Sequence, residues 1–178
     1  MRVLTAARDL ELPDWMIFSG AVYQPVWNHL TGRPVEHGLN DYDLAYFDAS
    51  DTGWDAEDAV IRRIAAALPT DLGNKVEVRN QARVHLWFED HFGEPYEPLA
   101  CAADALARFT SPAFAVGARL SKHGELEIFA PFGLDDLFAM RLRPTRLPPA
   151  RGYDFTVAKA KAKWPEVTSD VARNTTST

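Results

Sequence analysis

Asp41-Tyr42-Asp43 places two carboxylates two residues apart. On a strand, residues with that spacing point to the same face, so both can reach one point. Two like charges held there repel unless a cation sits between them, and a hard divalent ion such as magnesium suits an all-oxygen site. In a chain with 25 acidic residues an Asp-x-Asp arises by chance, so the pattern alone carries little information. Its context carries more. Asp43 runs directly into Leu44-Ala45-Tyr46-Phe47, a run too apolar for an exposed turn, which puts the pair at the mouth of a buried strand. Strand ends are where sheets present functional groups. Upstream, Ile17-Phe18-Ser19-Gly20 is an apolar run closed by a small residue and a glycine. Glycine lets a backbone approach a phosphate, and the N-terminus of a following helix offers unpaired N–H donors. Downstream, Val76-Glu77-Val78 sets one acid between two apolar neighbours, so Glu77 faces the open side of a half-buried strand.

Other residues have chemistry of their own to weigh. Asp48 lies five residues after Asp43, points to the opposite face, and reads as a loop-start or capping acid. Arg79 and Arg83 flank the turn after Glu77; either could grip a triphosphate as a fork, or pair with one of the many acids. His85 lies in an apolar run and reads as a packed, hydrogen-bonded histidine. Trp27 falls on the apolar stripe of the helix after Gly20 and reads as core, while Asn28 beside it could contact a sugar or phosphate, or cap something. Asp135 and Asp136 are adjacent on a helix and diverge too far to chelate one ion, so a helix-dipole role suits them better. The five histidines show neither His-x-x-x-His nor His-Glu-x-x-His, so a zinc hydrolase has no support. No Gly-x-Ser-x-Gly elbow, dinucleotide-binding glycine motif or P-loop is present. Cys101, the one cysteine, excludes an intrachain disulfide and a cysteine-rich zinc module, and reads as core in an alanine-rich helix.

These residues need elements to position them. Residues 2–10 read as a short helix and 15–18 as a buried strand. Residues 21–30 look helical, with Pro25 acceptable only in the first turn. Residues 42–47 are the next strand. Residues 55–68 form an amphipathic helix whose stripe is Ala59, Val60, Ile64 and Ala67. Residues 75–79 alternate as a strand, and Asn80 caps a helix over 81–87. Strands and helices alternating in this way indicate helices packed on a sheet, an α/β (α+β) architecture. Further on, 97–109 look helical, 114–120 and 125–129 pair as a hairpin, and 134–140 form a short helix. A proline-rich connector over 143–149 precedes a basic helix over 153–163. Its Lys159, Lys161 and Lys163 read as a solvated face. The polar tail from Ser169 reads as frayed. The expected organisation is a domain over 1–145, then a connector, helix and tail over 146–178.

The 178 residues suffice for one core, with 47% hydrophobic and 25% charged residues. A net charge of -6 argues against a strongly basic nucleic-acid binder. No secretory leader and no membrane-length apolar run is evident, so the expectation is a cytoplasmic protein without a membrane partner. The Asn174-Thr175-Thr176 sequon carries no weight under that expectation.

Taken together, an apolar run ending in glycine, then Asp-x-Asp-apolar, then apolar-acid-apolar resembles the DNA polymerase β-type nucleotidyltransferase superfamily. More narrowly, the chain resembles a bacterial nucleotidyltransferase-like family. The resemblance is carried by Gly20-Ala21-Val22 with Val26-Trp27-Asn28, by Asn40-Asp41-Tyr42-Asp43-Leu44-Ala45-Tyr46-Phe47-Asp48, by Glu77-Val78-Arg79-Asn80-Gln81-Ala82-Arg83-Val84-His85, and by Ala130-Pro131-Phe132-Gly133-Leu134-Asp135-Asp136-Leu137-Phe138. These stretches fall between about residues 15 and 145.

The resemblance implies a nucleotidyltransferase-type sheet with flanking helices and a C-terminal helix and hairpin extension. It implies that Asp41, Asp43 and Glu77 are catalytic and hold two magnesium ions, with Glu77 also helping to deprotonate an attacking hydroxyl. Ser19, Gly20, Asn28 and Arg83 would then bind the nucleotide. Members of the superfamily usually carry Gly-Ser or Gly-Gly at the phosphate turn, whereas Gly20 here is followed by Ala21, so a hydroxyl would have to come from Ser19. Two functions fit. One is metal-dependent transfer of a nucleoside monophosphate from a nucleoside triphosphate to a hydroxyl acceptor (a small molecule, protein or RNA). The other is a catalytically degenerate member that binds nucleotides or protein partners.

Overall fold

Apolar runs with β periodicity form the middle of one sheet. Met16–Phe18 (β1), Tyr42–Tyr46 (β2) and Val76–Asn80 (β3) join Gly117–Leu120 (β4) and Leu126–Phe129 (β5) in the order β3-β2-β1-β4-β5. This computed structural model describes residues 1–146 and 150–170. The β2 and β3 strands run parallel, and the remaining neighbours are antiparallel. A parallel pair needs a crossover. Trp54–Ala66 (α3) and the short Thr70–Gly73 (α4) supply it.

Period-two alternation sorts the side chains into two layers. Ile17, Leu44, Tyr46, Val78, Ala118 and Leu120 share a core with Val3, Leu4 and Ala7 of Arg2–Asp9 (α1) and with Ile64 of α3. On the other face Met16, Phe18 and Ala45 pack against a 3-10 helix, Ala102–Arg108. By the same alternation Asp43, Glu77 and Arg79 belong to this second face. The close packing of β4 on β1 requires Gly117, because a Cβ there would lie 2.7 Å from the Met16 sulfur.

A third cluster ties in the C-terminal part. Trp27 of Gly20–Leu30 (α2), Phe114, Leu142, Trp164 and Val167 pack together, and Trp164 is 1% exposed. Trp164 follows Tyr153–Lys163, which we number α7 after the short helices Phe88–Phe92 (α5) and Asp135–Phe138 (α6). Arg141–Leu142 (β6) pairs parallel with Thr168–Ser169 (β7). Ser169 is therefore hydrogen-bonded strand rather than the start of a frayed tail. Residues 147–149 of the expected connector and 171–178 of the tail, with the sequon, lie outside the described residues.

Several local expectations are corrected. The buried side of α3 runs through Glu57, Val60, Ile61 and Ile64, while Ala59 and Ala67 face solvent. Pro25 lies in the second turn of α2, since that helix begins at Gly20; the Ala21 carbonyl thereby loses its helical donor. The helix expected over 97–109 is only the 3-10 turn from Ala102. Half-buried Cys101 caps that turn with Asp104 instead of entering the core. The expected helix over 81–87 is likewise a 3-10 helix, Gln81–Leu86, with Asn80 accepting from the Ala82 amide as a cap should. Asp48 does serve as a loop-start acid, accepting the Ser50 amide at 2.9 Å. The hairpin and the helix over 153–163 match their expectations.

Candidate active site

The parallel register sets Asp43 opposite Glu77 and Ala45 opposite Arg79. Asp43 and Glu77 are thus cross-strand neighbours on the second face of the sheet, with Asp41 two residues before Asp43. Asp43 is half-buried, whereas Asp41 and Glu77 are exposed. Burial pushes the Asp43 carboxyl up to about 6; the charges of Asp41 and Glu77 push the same way, and Arg79 opposes them. All three acids therefore share one electrostatic neighbourhood.

Tyr23 belongs to it too. Burial raises its hydroxyl to about 12, opposed by the Gln24 amide and reinforced by Asp41 and Asp43. Its ring packs on Trp27 and Phe114, with centroids 4.7 and 4.8 Å away, so the aromatic cluster holds the edge of the site in place.

Ser19 and Gly20 form the turn between β1 and α2. The left-handed backbone falls on Ser19 (φ 44°), not on the glycine. Such a conformation is costly for a residue with a Cβ. Ser19 is held there from both sides: its amide donates to the Val116 carbonyl at 2.8 Å, and its carbonyl accepts from Val22 and Tyr23. Gly20 leaves room for the Gln24 amide, whose nitrogen would lie 2.9 Å from an added Cβ. The buried Gln24 carbonyl oxygen has no partner among the described residues.

Asn28 and Arg83 are not brought to these acids. Asn28 is 0% exposed. Its amide donates to the Val35 and His37 carbonyls, both at 2.9 Å, and its oxygen accepts from the Trp164 indole at 2.8 Å. That corrects its assignment to the nucleotide: the side chain stitches α2 to the following loop and to the C-terminal part, and is closed to solvent. Arg83 pairs with buried Glu57 at 2.6 Å and donates to the Thr52 carbonyl at 3.0 Å. Glu57 also accepts the Asn80 amide at 2.7 Å. This arrangement anchors the turn after β3 and takes up the guanidinium that could have gripped phosphate.

Arg79 remains at the site. It makes no ion pair with a carboxylate among the described residues. Asp136 is not merely a dipole partner either, since it is buried between Arg141 and Arg143 at 2.6 and 2.7 Å. The His85 Nδ1 atom is buried without a partner among the described residues, in place of the expected hydrogen bond.

Glu57 and Tyr23 escaped the sequence reading. Glu57 left a signal: it is an acid in step with Val60, Ile61 and Ile64 on the buried stripe, and an acid there needs a cation. Tyr23 left none, because its position near the acids depends on how α2 packs.

Three carboxylates form a hard oxygen donor set, and their mutual repulsion is what a divalent cation would relieve. In donor chemistry, not in a closed geometry, the residues present suit such an ion. Among the described residues, no three His, Cys, Asp or Glu side chains close on one point as they stand.

Beside Asp43 and Glu77 lies a cavity of about 440 Å3, also lined by Arg79, Gln81, Arg108 and aromatic rings. Elsewhere, no helix among the described residues is long and apolar enough to cross a membrane.

Comparison with known proteins bears on most of the chain. A family model described as nucleotidyltransferase matches residues 5–169. A solved structure whose description reads that it "reveals a CCA-adding enzyme head domain" is similar with a TM-score of 0.75, over 94% of this chain and 87% of that one. Sequence identity there is 24%, so the likeness is one of fold. Comparison with curated proteins returned no match.

Proposed function

This chain belongs to the nucleotidyltransferase family, and from that premise we propose that it transfers a nucleoside monophosphate from a nucleoside triphosphate to a hydroxyl acceptor, with a divalent metal. The carrying observation is the register that sets Asp43 against Glu77, with Asp41 two residues upstream, and burial together with the charges of Asp41 and Glu77 pushing the Asp43 carboxyl up to about 6.

In this reading Asp41, Asp43 and Glu77 hold the metal. Two magnesium ions, when bound, would neutralise phosphate charge and stabilise both the attacking and the leaving oxygens. The chain's own residues do the positioning. The Ser19–Gly20 turn and the first N–H groups of α2 receive the phosphates, where backbone donors favour negative charge. The Ser19, Val22 and Tyr23 amides are spent on the Val116 and Ser19 carbonyls, which fixes the turn and leaves the Gly20 and Ala21 amides as its donors to phosphate. Glu77, exposed on the β3 side, takes up the proton of the attacking hydroxyl. Tyr23 stays protonated at any working pH. Asn28 and Arg83 act on the scaffold, not on the nucleotide.

A thermal-shift titration with ATP, CTP, GTP and UTP, each with and without magnesium, tests the proposal. A ligand that binds only the folded state raises its stability. A magnesium-dependent rise with at least one nucleotide, absent in Asp41→Asn, is expected. No rise with any nucleotide at millimolar concentration overturns the reading and favours a fold whose chemistry has been lost.

A further inference from the structure

The cavity next to Asp43 and Glu77 is walled by Phe18, Trp87, Phe88, Phe92, Tyr96 and Phe109. At about 440 Å3 it is within the size range of small-molecule sites. The rings form a continuous surface: Phe88 lies 4.7 Å from Phe92 and 4.5 Å from Tyr96, centroid to centroid. Phe92 is 50% exposed and Trp87 is half-buried, so the wall is not sealed in the core.

Two arginines enter this apolar setting. Arg108 is stacked 4.9 Å over the Tyr96 ring. Arg79 donates to the Val78 carbonyl at 2.9 Å. Neither has a carboxylate within ion-pair distance among the described residues. Unpaired guanidinium groups beside aromatic rings suit a planar ligand that carries negative charge.

Position indicates which substrate this is. The cavity opens on Asp43 and Glu77 but is not lined by Ser19, Gly20 or Asp41. In the sheet order β3-β2-β1, Glu77 and the Ser19–Gly20 turn lie on opposite sides of Asp43. An in-line displacement brings the nucleophile in opposite the leaving group. With the phosphates at the β1–α2 turn, the nucleophile comes from the β3 side, where the cavity is.

We propose that the cavity binds the acceptor, and that the acceptor is a small molecule with an aromatic body, a hydroxyl and an anionic group such as a carboxylate. This rests on the nucleotidyl-transfer reading above. The ring lies against Trp87, Phe88 and Tyr96, and the anion meets Arg108 or Arg79. The hydroxyl faces Asp43 and Glu77. Its oxygen bonds to the α-phosphorus of the nucleoside triphosphate while the α–β anhydride bond breaks. Pyrophosphate leaves, and the hydroxyl proton passes to Glu77 and then to solvent. An RNA end is disfavoured, because RNA affinity draws on many phosphate contacts. The cavity offers two arginines, and the chain carries a net charge of -6.

The test uses the full chain and four probes: 4-hydroxyphenylacetate, tyramine, 3-hydroxybutyrate, and a short single-stranded RNA with a free 3′-hydroxyl. Binding is read by calorimetry or saturation-transfer NMR without nucleotide. The hydroxyphenylacetate should bind about ten-fold tighter than tyramine, which lacks the anion, and than 3-hydroxybutyrate, which lacks the ring. Arg108→Gln and Trp87→Ala should each weaken it by about ten-fold. Arg108 is exposed, so its variant serves if Trp87→Ala fails to fold. With magnesium and the triphosphates, label should pass from the α-phosphate to the hydroxy acid. Equal or absent binding of the three small probes, or tighter binding of the RNA, overturns the assignment. The two proposals fail separately. A magnesium-dependent nucleotide shift without probe binding removes only the acceptor assignment. Probe binding without any nucleotide shift removes nucleotidyl transfer and with it the acceptor role, leaving only the cavity's preference for an aromatic hydroxy acid.

Discussion

Two acidic clusters flank β3, and they differ in how their charge is met. Glu57 is 1% exposed, yet the Asn80 amide and the Arg83 guanidinium occupy both of its oxygens. Asp43 is less buried and worse served: Asp41 and Glu77 repel it, and among the described residues Arg79 alone opposes them. The first cluster is a finished structural joint. The second is electrostatically incomplete: its carboxylates repel one another, and among the described residues only the Arg79 guanidinium counters them. Depth of burial does not separate the two; the sign of the neighbours does.

The largest effect should come from breaking the finished joint. Arg83→Ala leaves Glu57 as a buried, uncompensated charge and should cost about 3–5 kcal/mol, read by urea or thermal unfolding. A loss below about 1 kcal/mol would mean that Glu57 is not the anchor its geometry suggests.

Changing the incomplete cluster should have the opposite sign. In metal-free protein at pH 8, Asp43→Asn removes repulsion and should stabilise by about 1–2 kcal/mol, allowing for solvent screening of a half-buried group. The pH dependence follows from the raised carboxyl, at about 6 against an ordinary 3.8. Between those values the folded state keeps a proton that the unfolded state has released, so Asp43 makes stability fall as pH rises. The gap between variant and parent should therefore open from about pH 4 to pH 7 and close below pH 4, as melting curves across pH would show.

Arg79→Ala should have the smallest effect on folding, within about 0.5 kcal/mol, since it forms no ion pair among the described residues. Among the described residues it removes the one charge that opposes the repulsion at Asp43. NMR titration of that carboxyl should therefore find it higher still than in the parent.

The incomplete cluster was the more legible of the two in sequence. Asp43 and Glu77 belong to strands, with Asp41 one residue ahead of β2, and a period of two announces which face a strand residue takes. The strands, the hairpin and the Asn80 cap were readable for the same reason: they depend on neighbours close in the chain. The finished joint depends on Glu57 meeting Arg83 across 26 residues, and no local pattern states that distance. Asn28 misled for the same cause, since its partners are Val35, His37 and, 136 residues on, Trp164. The aromatic cavity was hidden too: the rings of residues 87–96 look like ordinary core until packing leaves Phe92 half in solvent.

Manganese binding, followed by electron paramagnetic resonance in the presence of a nucleoside triphosphate, tests most directly whether the acids at β2 and β3 form a metal site. The parent protein should take up the ion, and Asp41→Asn and Asp43→Asn should lose that uptake by at least about ten-fold while remaining folded. Undiminished manganese binding in a folded Asp43→Asn variant would contradict the account.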